Sequence, residues 1–435
     1  MAVDTGLTPP PAPALFTDRY ELTMVAAALA DGTADRQCVF EVFARRLPHG
    51  RRYGVLAGTG RLLEALPHFR FGDDEIAALR AQGLTDARLL DWLADFRFSG
   101  DIDGYAEGEL YFPGSPVLTV RASFAEGVLL ETLALSVLNH DSAIASAAAR
   151  MISAACDRPC IEMGSRRTHE EAAVAAARAA HLVGFATSSN LEAGRRYAVP
   201  TTGTSAHAFT LLHDDERSAF EAQVAALGTG TTLLVDTYDV EQGIRTAVEV
   251  AGPELGGIRL DSGDLPTLAT RARELLDELG ATRTRIVVTS DLDEYAIAGL
   301  AAAPVDGYGV GTSLVTGSGA PTVGMVYKLV ERDGVPVAKR SEGKRSVGGR
   351  KSAVRRHDAD GVATAELVTA GPVAPRPGDR DLLVALVRDG EICDPVSPAE
   401  ALERAKAHHL QARAALPPEA FALSRGEPVL DTATA

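Results

Sequence analysis

The chain has a single tryptophan and four cysteines in 435 residues, and aromatic residues make up only 5% of it. Cys38, Cys156, Cys160 and Cys393 are too few and too irregularly spaced for a disulfide framework. Cys156 and Cys160 have no matching downstream Cys or His pair, which argues against a zinc site and for ordinary thiols. Cations are also scarce: 43 Lys and Arg face 59 Asp and Glu, for a formal net charge of −16. That balance argues against a protein that coats nucleic acid or an anionic membrane. It leaves open a local cationic site for a small anion. No run of 18 apolar residues occurs, so no spanning helix is expected. The stretch Met1 to Ala14 is rich in Pro, Ala and Thr and has no basic region followed by an apolar one, which reads as a frayed tail. A reducing cytoplasm is the expected setting. Walker A, GxGxxG, HExxH and GxSxG patterns are missing as well, which leaves Ser123 and Ser165 poor candidates for a hydrolase nucleophile.

What is present is an ordinary globular balance, 46% hydrophobic and 23% charged, in a chain long enough for more than one domain. Leu15 to Ala30 has helical spacing after Thr17 or Asp18 as N-cap, and Val39 to Phe43 alternates as a strand. Asp73 to Phe96 is mostly helical, and Asp101 to Val120 is rich in strands and turns. From Glu126 to Ala155 a long Ala/Leu/Ser-rich helix is predicted, packed on several sides. Strands are then predicted at Cys160–Met163, Leu182–Phe185, Thr202–Thr204, Thr232–Val235, Gly257–Leu260, Arg285–Val288 and Gly307–Val310, with helices between them. This repeat of strand and helix implies a parallel sheet with right-handed crossovers, and its count is nearer a barrel than a short open sheet. From about Val323 the texture becomes β-rich and basic. Pro398 to Leu416 reads as a charged helix capped by Ser397.

Four strand ends between residues 233 and 314 finish in hydroxyl, carboxylate and glycine residues. They are Val235-Asp236-Thr237-Tyr238-Asp239, Arg259-Leu260-Asp261-Ser262-Gly263-Asp264, Thr289-Ser290-Asp291 and Gly309-Val310-Gly311-Thr312-Ser313. Parallel α/β folds carry their chemistry at the carboxyl ends of strands. Carboxylates suit ribose hydroxyls or Mg²⁺, and a Gly/Thr/Ser loop suits a phosphoryl group. A single Asp at such a place reads equally well as a helix N-cap; four in succession outline a sugar-phosphate pocket.

Other segments join this face on sequence grounds. His207 follows Gly203-Thr204-Ser205-Ala206 at a predicted strand end, where a histidine is as readily catalytic as structural. Gly164-Ser165-Arg166-Arg167 follows another strand and offers cations to an anionic group. Phe185 alone reads as core, and Thr187-Ser188-Ser189-Asn190 as a cap. Between Lys339 and Arg356 eight Lys and Arg face one Glu, which suggests polyphosphate binding because no aromatics are interleaved for base stacking.

The whole set resembles nicotinate phosphoribosyltransferase, a type II phosphoribosyltransferase family. The matching stretches, in order, are Leu15 to Met24, Glu131 to Leu133, Gly164 to Arg167, Phe185 to Gly194, Gly203 to His207, Leu234 to Asp239, Arg259 to Leu265, Gly309 to Thr312 and Met325 to Leu329. The resemblance implies an α/β fold, an irregular α/β barrel fused to a split α+β N-terminal domain. On that basis the tail is 1–14, the N-terminal domain 15–122 is completed by about 345–395, the barrel is 123–344, and 396–435 is a C-terminal helix and tail. It further implies a cytoplasmic homodimer with shared active sites, using nicotinate, 5-phosphoribosyl 1-diphosphate and ATP with Mg²⁺ in NAD salvage. His207 would be transiently phosphorylated, with Asp261 and Asp291 catalytic and available to the metal. Tyr20 and Phe185 would stack on the pyridine ring, Tyr20 in the partner subunit's site. Arg166 would face the base or its ribose phosphate. Thr204, Arg259, Ser262, Gly263, Gly309, Gly311 and Thr312 would hold the phosphoribosyl part, and Lys339, Lys344 and Lys351 are candidates to meet phosphates.

Two departures from the family pattern bear on specificity. Met163 stands where a Phe is common. Ser189 stands where relatives that use nicotinamide carry an Asp; a hydroxyl can donate to a substrate carboxylate, whereas an Asp would repel it. Nicotinate is therefore favoured over nicotinamide or quinolinate. A sugar-phosphate binding protein without turnover is the alternative of another class.

Overall fold

A computed structural model describes residues 13–339, 347–374 and 376–434. The chain divides into two compact units, one of residues 1–142, 322–420 and 425–435 and the other of 143–321 with 421–424. The division falls within the helix Glu131–Ala155.

The first unit is built on a seven-stranded sheet to which both ends of the chain contribute. Strand Gln37–Ala44 lies between Met325–Arg332 on one side and Leu118–Ser123 on the other, antiparallel to both, with a bulge between Val39 and Phe40. Its burial is nearly continuous rather than alternating, as expected for a central strand covered on both faces. A second sheet of four strands carries Lys351–His357 beside Ala363–Ala370.

The second unit contains a six-stranded parallel sheet, ordered Thr187–Ser188, Cys160–Glu162, Gly307–Val310, Arg285–Val288, Gly257–Leu260, Thr232–Leu234. Read cyclically, that order is the order of the chain, the arrangement of a barrel with one seam. The seam lies between Thr187–Ser188 and Thr232–Leu234, which no ladder joins among the described residues. Only Thr201 reaches toward it, through a single parallel bridge to Ser188. Leu233, Leu234, Ile258, Leu260, Ile286, Val288, Tyr308 and Val310 are buried completely in the strands, and Ala247, Ala269, Leu275 and Ile297 seal them from the crossover helices. Each such aliphatic side chain contributes about 1.5–3 kcal/mol by its burial.

Two sequence expectations fail here. The run Leu182–Phe185 is not a strand: the helix Glu170–Leu182 continues to its start, and Gly184 at φ +117 turns the chain so that the Phe185 N–H bonds the Ala180 carbonyl. The strand comes two residues later. Thr202–Thr204 likewise makes no ladder.

Candidate active site

Three neighbouring strand ends of the parallel sheet carry pairs of acids, and the two members of each pair do different work. The later acid serves the following helix. Asp239 accepts from the Gln242 N–H at 2.8 Å and Asp293 from the Tyr295 and Ala296 N–H groups, both as N-caps. Asp264 holds the Thr267 hydroxyl at 2.8 Å. The earlier acid is left for other partners. Asp236 Oδ2 accepts from the Asp261 N–H at 2.7 Å and from Ser262 Oγ at 3.0 Å, tying two neighbouring strand ends together. Asp261 Oδ1 in turn accepts from Thr289 Oγ1, on the third. Asp236 is almost wholly buried, 2% exposed at its side chain, and its Oδ1 has no hydrogen-bond partner among the described residues.

His207 opens the short helix His207–Leu212, immediately after the segment that crosses the seam. Its Nδ1 lies 3.0 Å from Thr237 Oγ1. Its Nε2 lies 3.8 Å from Asp236 and 3.9 Å from Asp261. Arg259 Nη1 donates to Thr204 Oγ1. Burial lowers the Arg259 pKa, Asp261 and Asp236 counteract this, and the nearby Arg166 adds to the lowering. Two carboxylates thus face one histidine, with Arg259 electrostatically coupled to both of them and to Arg166, a composition suited to a magnesium-bearing polyphosphate.

Gly309 has no room for a side chain: a Cβ would meet Thr289 Cγ2 at 2.5 Å and Met163 Sδ at 2.8 Å. Gly263 sits at φ +85, where a side chain would be strained. Gly311 precedes the single turn Thr312–Val315. Asp291 is exposed beside Ser290, whose φ of +135 marks a strained backbone at that strand end.

On the other side of the sheet order, Glu162 is fully buried and accepts from Ser188 Oγ at 2.5 Å and from the Gly164 N–H. Burial raises its pKa, against the pull of those two bonds. This carboxylate fixes the loop bearing Arg166, which is exposed, beside the strand that leads to Ser189. Asn190 reinforces the link through Nδ2 to Ser165 Oγ at 3.0 Å. Ser189 itself is exposed, with its N–H on the Glu162 carbonyl.

Phe185 requires a correction. Its ring is 1% exposed and belongs to the core, because the turn after the helix points it inward, so it offers no face for stacking. Lys351 requires another. Its Nζ bonds Glu41 at 2.5 Å inside the first unit, with both side chains buried, so it is committed to a carboxylate rather than to a phosphate. Three arginines of the described basic run are also engaged: Arg350 with Asp103, Arg355 with Glu366, Arg356 with Asp379. Lys339 is exposed, and Lys344 lies outside the described residues. Tyr20, in the first unit, is 46% exposed on the helix Arg19–Asp31, and burial together with the neighbouring Glu131 raises its pKa.

Sequence reasoning did not single out Asp236, Thr237, Thr289, Glu162 or Ser188. The first three lie in strand ends it had marked, and the rule that the earlier acid faces the mouth would have picked Asp236.

Residues 15–139 match the model of the nicotinate phosphoribosyltransferase (NAPRTase) N-terminal domain. The chain is 64% identical over 433 residues to nicotinate phosphoribosyltransferase pncB1 of Mycobacterium tuberculosis, covering 97% of this chain and 95% of that one. It belongs to the nicotinate phosphoribosyltransferase family. The human nicotinate phosphoribosyltransferase is 30% identical over 483 residues, with 90% of each chain covered. The crystal structure of human nicotinic acid phosphoribosyltransferase superposes with a TM-score of 0.83 at 26% identity, over 96% of this chain and 97% of that one. Family membership accounts for the mixed α/β architecture. No helix among the described residues is long and apolar enough to cross a membrane.

Proposed function

We propose that this protein joins nicotinate to 5-phosphoribosyl 1-diphosphate, giving nicotinate mononucleotide and diphosphate, and couples the step to ATP hydrolysis through phosphorylated His207. The observation that carries the reading is the 64% identity, over 97% of the chain, to a protein named for nicotinate phosphoribosyl transfer. The site supports it chemically. In the transfer, the pyridine nitrogen bonds C1 of the ribose as the bond from C1 to the diphosphate oxygen breaks. Charge builds on the ribose ring and on the departing diphosphate, so placed charges matter more than a protein nucleophile. Arg259 and Arg166 are cations for the phosphates; Asp261 and Ser262 suit the ribose hydroxyls. Ser189 offers a hydroxyl, not an anion, to the carboxylate of nicotinate.

Mg²⁺ fits this donor set. No group of three or more His, Cys, Asp and Glu disposed to hold a metal occurs among the described residues, but Mg²⁺ is commonly held by one or two carboxylates plus substrate phosphates. The orphaned Asp236 Oδ1 beside Asp261 supplies such a place. Asp261 and Asp291, joined by Asp236, would hold the ion, which would neutralise diphosphate charge. A cytoplasmic homodimer, with Tyr20 of one subunit serving the partner's site, completes the proposal.

The test is product analysis of purified protein with phosphoribosyl diphosphate, Mg²⁺ and each of nicotinate, nicotinamide and quinolinate, with and without ATP. Nicotinate is expected to be turned over best and to be stimulated by ATP; His207→Ala is expected to lose the stimulation. Turnover of nicotinamide or quinolinate in preference to nicotinate would refute the assignment of the base. Tight phosphoribosyl diphosphate binding without turnover of any base would refute catalysis.

A further inference from the structure

His207 occupies the weakest place in the barrel. The segment from residue 202 to 206 makes no ladder, and the strand that would close the sheet is represented by the one bridge at Thr201. The helix that His207 opens is only six residues long. The ring therefore needs an anchor other than its own backbone. Among the described residues it has one hydrogen bond, between Nδ1 and Thr237 Oγ1 at 3.0 Å. Thr237 stands on the far side of the seam, three residues past the end of strand Thr232–Leu234. The other ring nitrogen is differently placed. Nε2 lies beyond hydrogen-bond distance of both facing carboxylates, at 3.8 Å from Asp236 and 3.9 Å from Asp261.

A neutral imidazole carries one proton, and the hydrogen bond at one nitrogen decides what the other can do. With Nδ1–H donating to Thr237 Oγ1, the lone pair sits on Nε2 and faces the polar mouth. With the proton on Nε2 instead, that nitrogen has no lone pair and cannot attack. We infer that Thr237 is a positioning residue for the phosphorylation of His207: its hydroxyl accepts the Nδ1 proton's hydrogen bond across the seam, fixing the ring's orientation and presenting Nε2 as the phosphoryl acceptor. This rests on the ATP-coupled reading above. In the step, the Nε2 lone pair forms the N–P bond to the γ-phosphorus of ATP. The P–O bond to the β-phosphate breaks, with its electron pair leaving on ADP. The ring keeps its Nδ1 proton, and the positive charge that develops on it strengthens the bond to Thr237.

The experiment follows the label from γ-³²P-ATP into protein for wild type, Thr237→Val, Thr237→Ser and His207→Ala, with ¹⁵N NMR of the histidine ring. Thr237→Val, nearly the same shape without a hydroxyl, is expected to slow labelling by roughly tenfold to a hundredfold, by analogy with loss of the orienting hydrogen bond behind a metal-bound imidazole. Thr237→Ser restores the hydroxyl and is expected to restore the rate. In wild type the phosphate is expected on Nε2 and the proton on Nδ1. Equal labelling of wild type and Thr237→Val, or phosphate on Nδ1, overturns this inference while leaving the phosphohistidine reading intact. Label in His207→Ala, or none in wild type, overturns that reading and this inference with it. If Thr237→Val does not fold, as judged by its thermal midpoint, Thr237→Ala makes the same comparison.

Discussion

At the scale of single residues, Asp236 does the most for the site and is the least conspicuous in the sequence. One of its oxygens holds the backbone of Asp261 and the hydroxyl of Ser262; the other is buried with no hydrogen-bond partner among the described residues. Replacing it with Ala strands the half-buried Asp261 N–H, a loss of about 1–3 kcal/mol, and releases the exposed Ser262 hydroxyl to solvent. Asp236→Ala is expected to lower kcat/KM for phosphoribosyl diphosphate by tenfold or more. Steady-state kinetics with that substrate varied checks this, and an unchanged kcat/KM would remove Asp236 from the site. The sequence showed an acid-bearing strand end here, but not which acid faced the mouth. That choice is made by helix capping: Asp239 is three residues before the Gln242 N–H it accepts from, so it is consumed locally, while Asp236 is one turn too early to cap anything. Phe185 shows the converse. The family resemblance gave it a stacking role although its own apolar run read as core, and the turn at Gly184 leaves it in the core.

At the scale of elements, the basic run around Lys351–His357 shows why local charge density misleads. Five of its acid partners, Glu41, Asp103, Glu109, Glu366 and Asp379, are dispersed along the chain, and only the folded sheet brings them together. Arg355 is the centre: it lies 2.7 Å from Glu366 and 3.6 Å from Glu109, with all three side chains at most 1% exposed, and its guanidinium packs 5.1 Å from the Phe112 ring centre. Burial would raise the Glu109 pKa, but hydrogen bonds from His408 and Arg380 and the charge of Arg355 hold it well below the usual carboxylate range. Arg355→Met leaves the Glu366 carboxylate buried without a cation and is expected to cost about 3–5 kcal/mol. Adding Glu366→Gln should return much of that in denaturant unfolding; a single variant as stable as wild type would show the network to be idle. The helix Arg19–Asp31 carries a second electrostatic signature. Burial raises Glu21 to about 7, although Thr132 and Thr17 hydrogen-bond it. Below about pH 4.5 the folded and unfolded chains both hold this proton. Between there and about 7 the unfolded chain releases it first, so stability falls as pH rises through that window. Glu21→Gln should flatten this decline, raising the thermal midpoint relative to wild type by several degrees above pH 7 and not below pH 4.5. Parallel wild-type and variant curves across the range would exclude a raised Glu21.

At the scale of the whole molecule, the barrel-like sheet was the most legible feature, because alternating strands and helices in chain order admit few topologies. The seam was not legible: Thr202 and Thr204 suggested a strand, but Pro200 and Gly203 interrupt the stretch and no ladder forms there among the described residues. Assembly is the remaining level. Leu15, Phe16 and Tyr20 expose 37%, 52% and 46% of their surface near the N-terminal end of the described chain, apolar surface that the proposed dimer would have available. If Tyr20 serves the partner's site, as proposed, two variants that each lack ATP-stimulated activity should complement one another. In a mixed dimer of Tyr20→Ala and His207→Ala, the barrel of the first subunit keeps its own His207 and receives an intact Tyr20 from the second. The other site carries both defects. Random reassortment makes half of the dimers mixed, each with one sound site in two, so ATP-stimulated activity should return to about a quarter of wild type. Recovery that grows with exchange time after mixing, and is missing when either variant is assayed alone, would establish the shared site. Mixtures that never exceed the sum of the separate variants, under conditions where exchange is demonstrated by mass, would place Tyr20 in its own subunit's service or outside the site altogether.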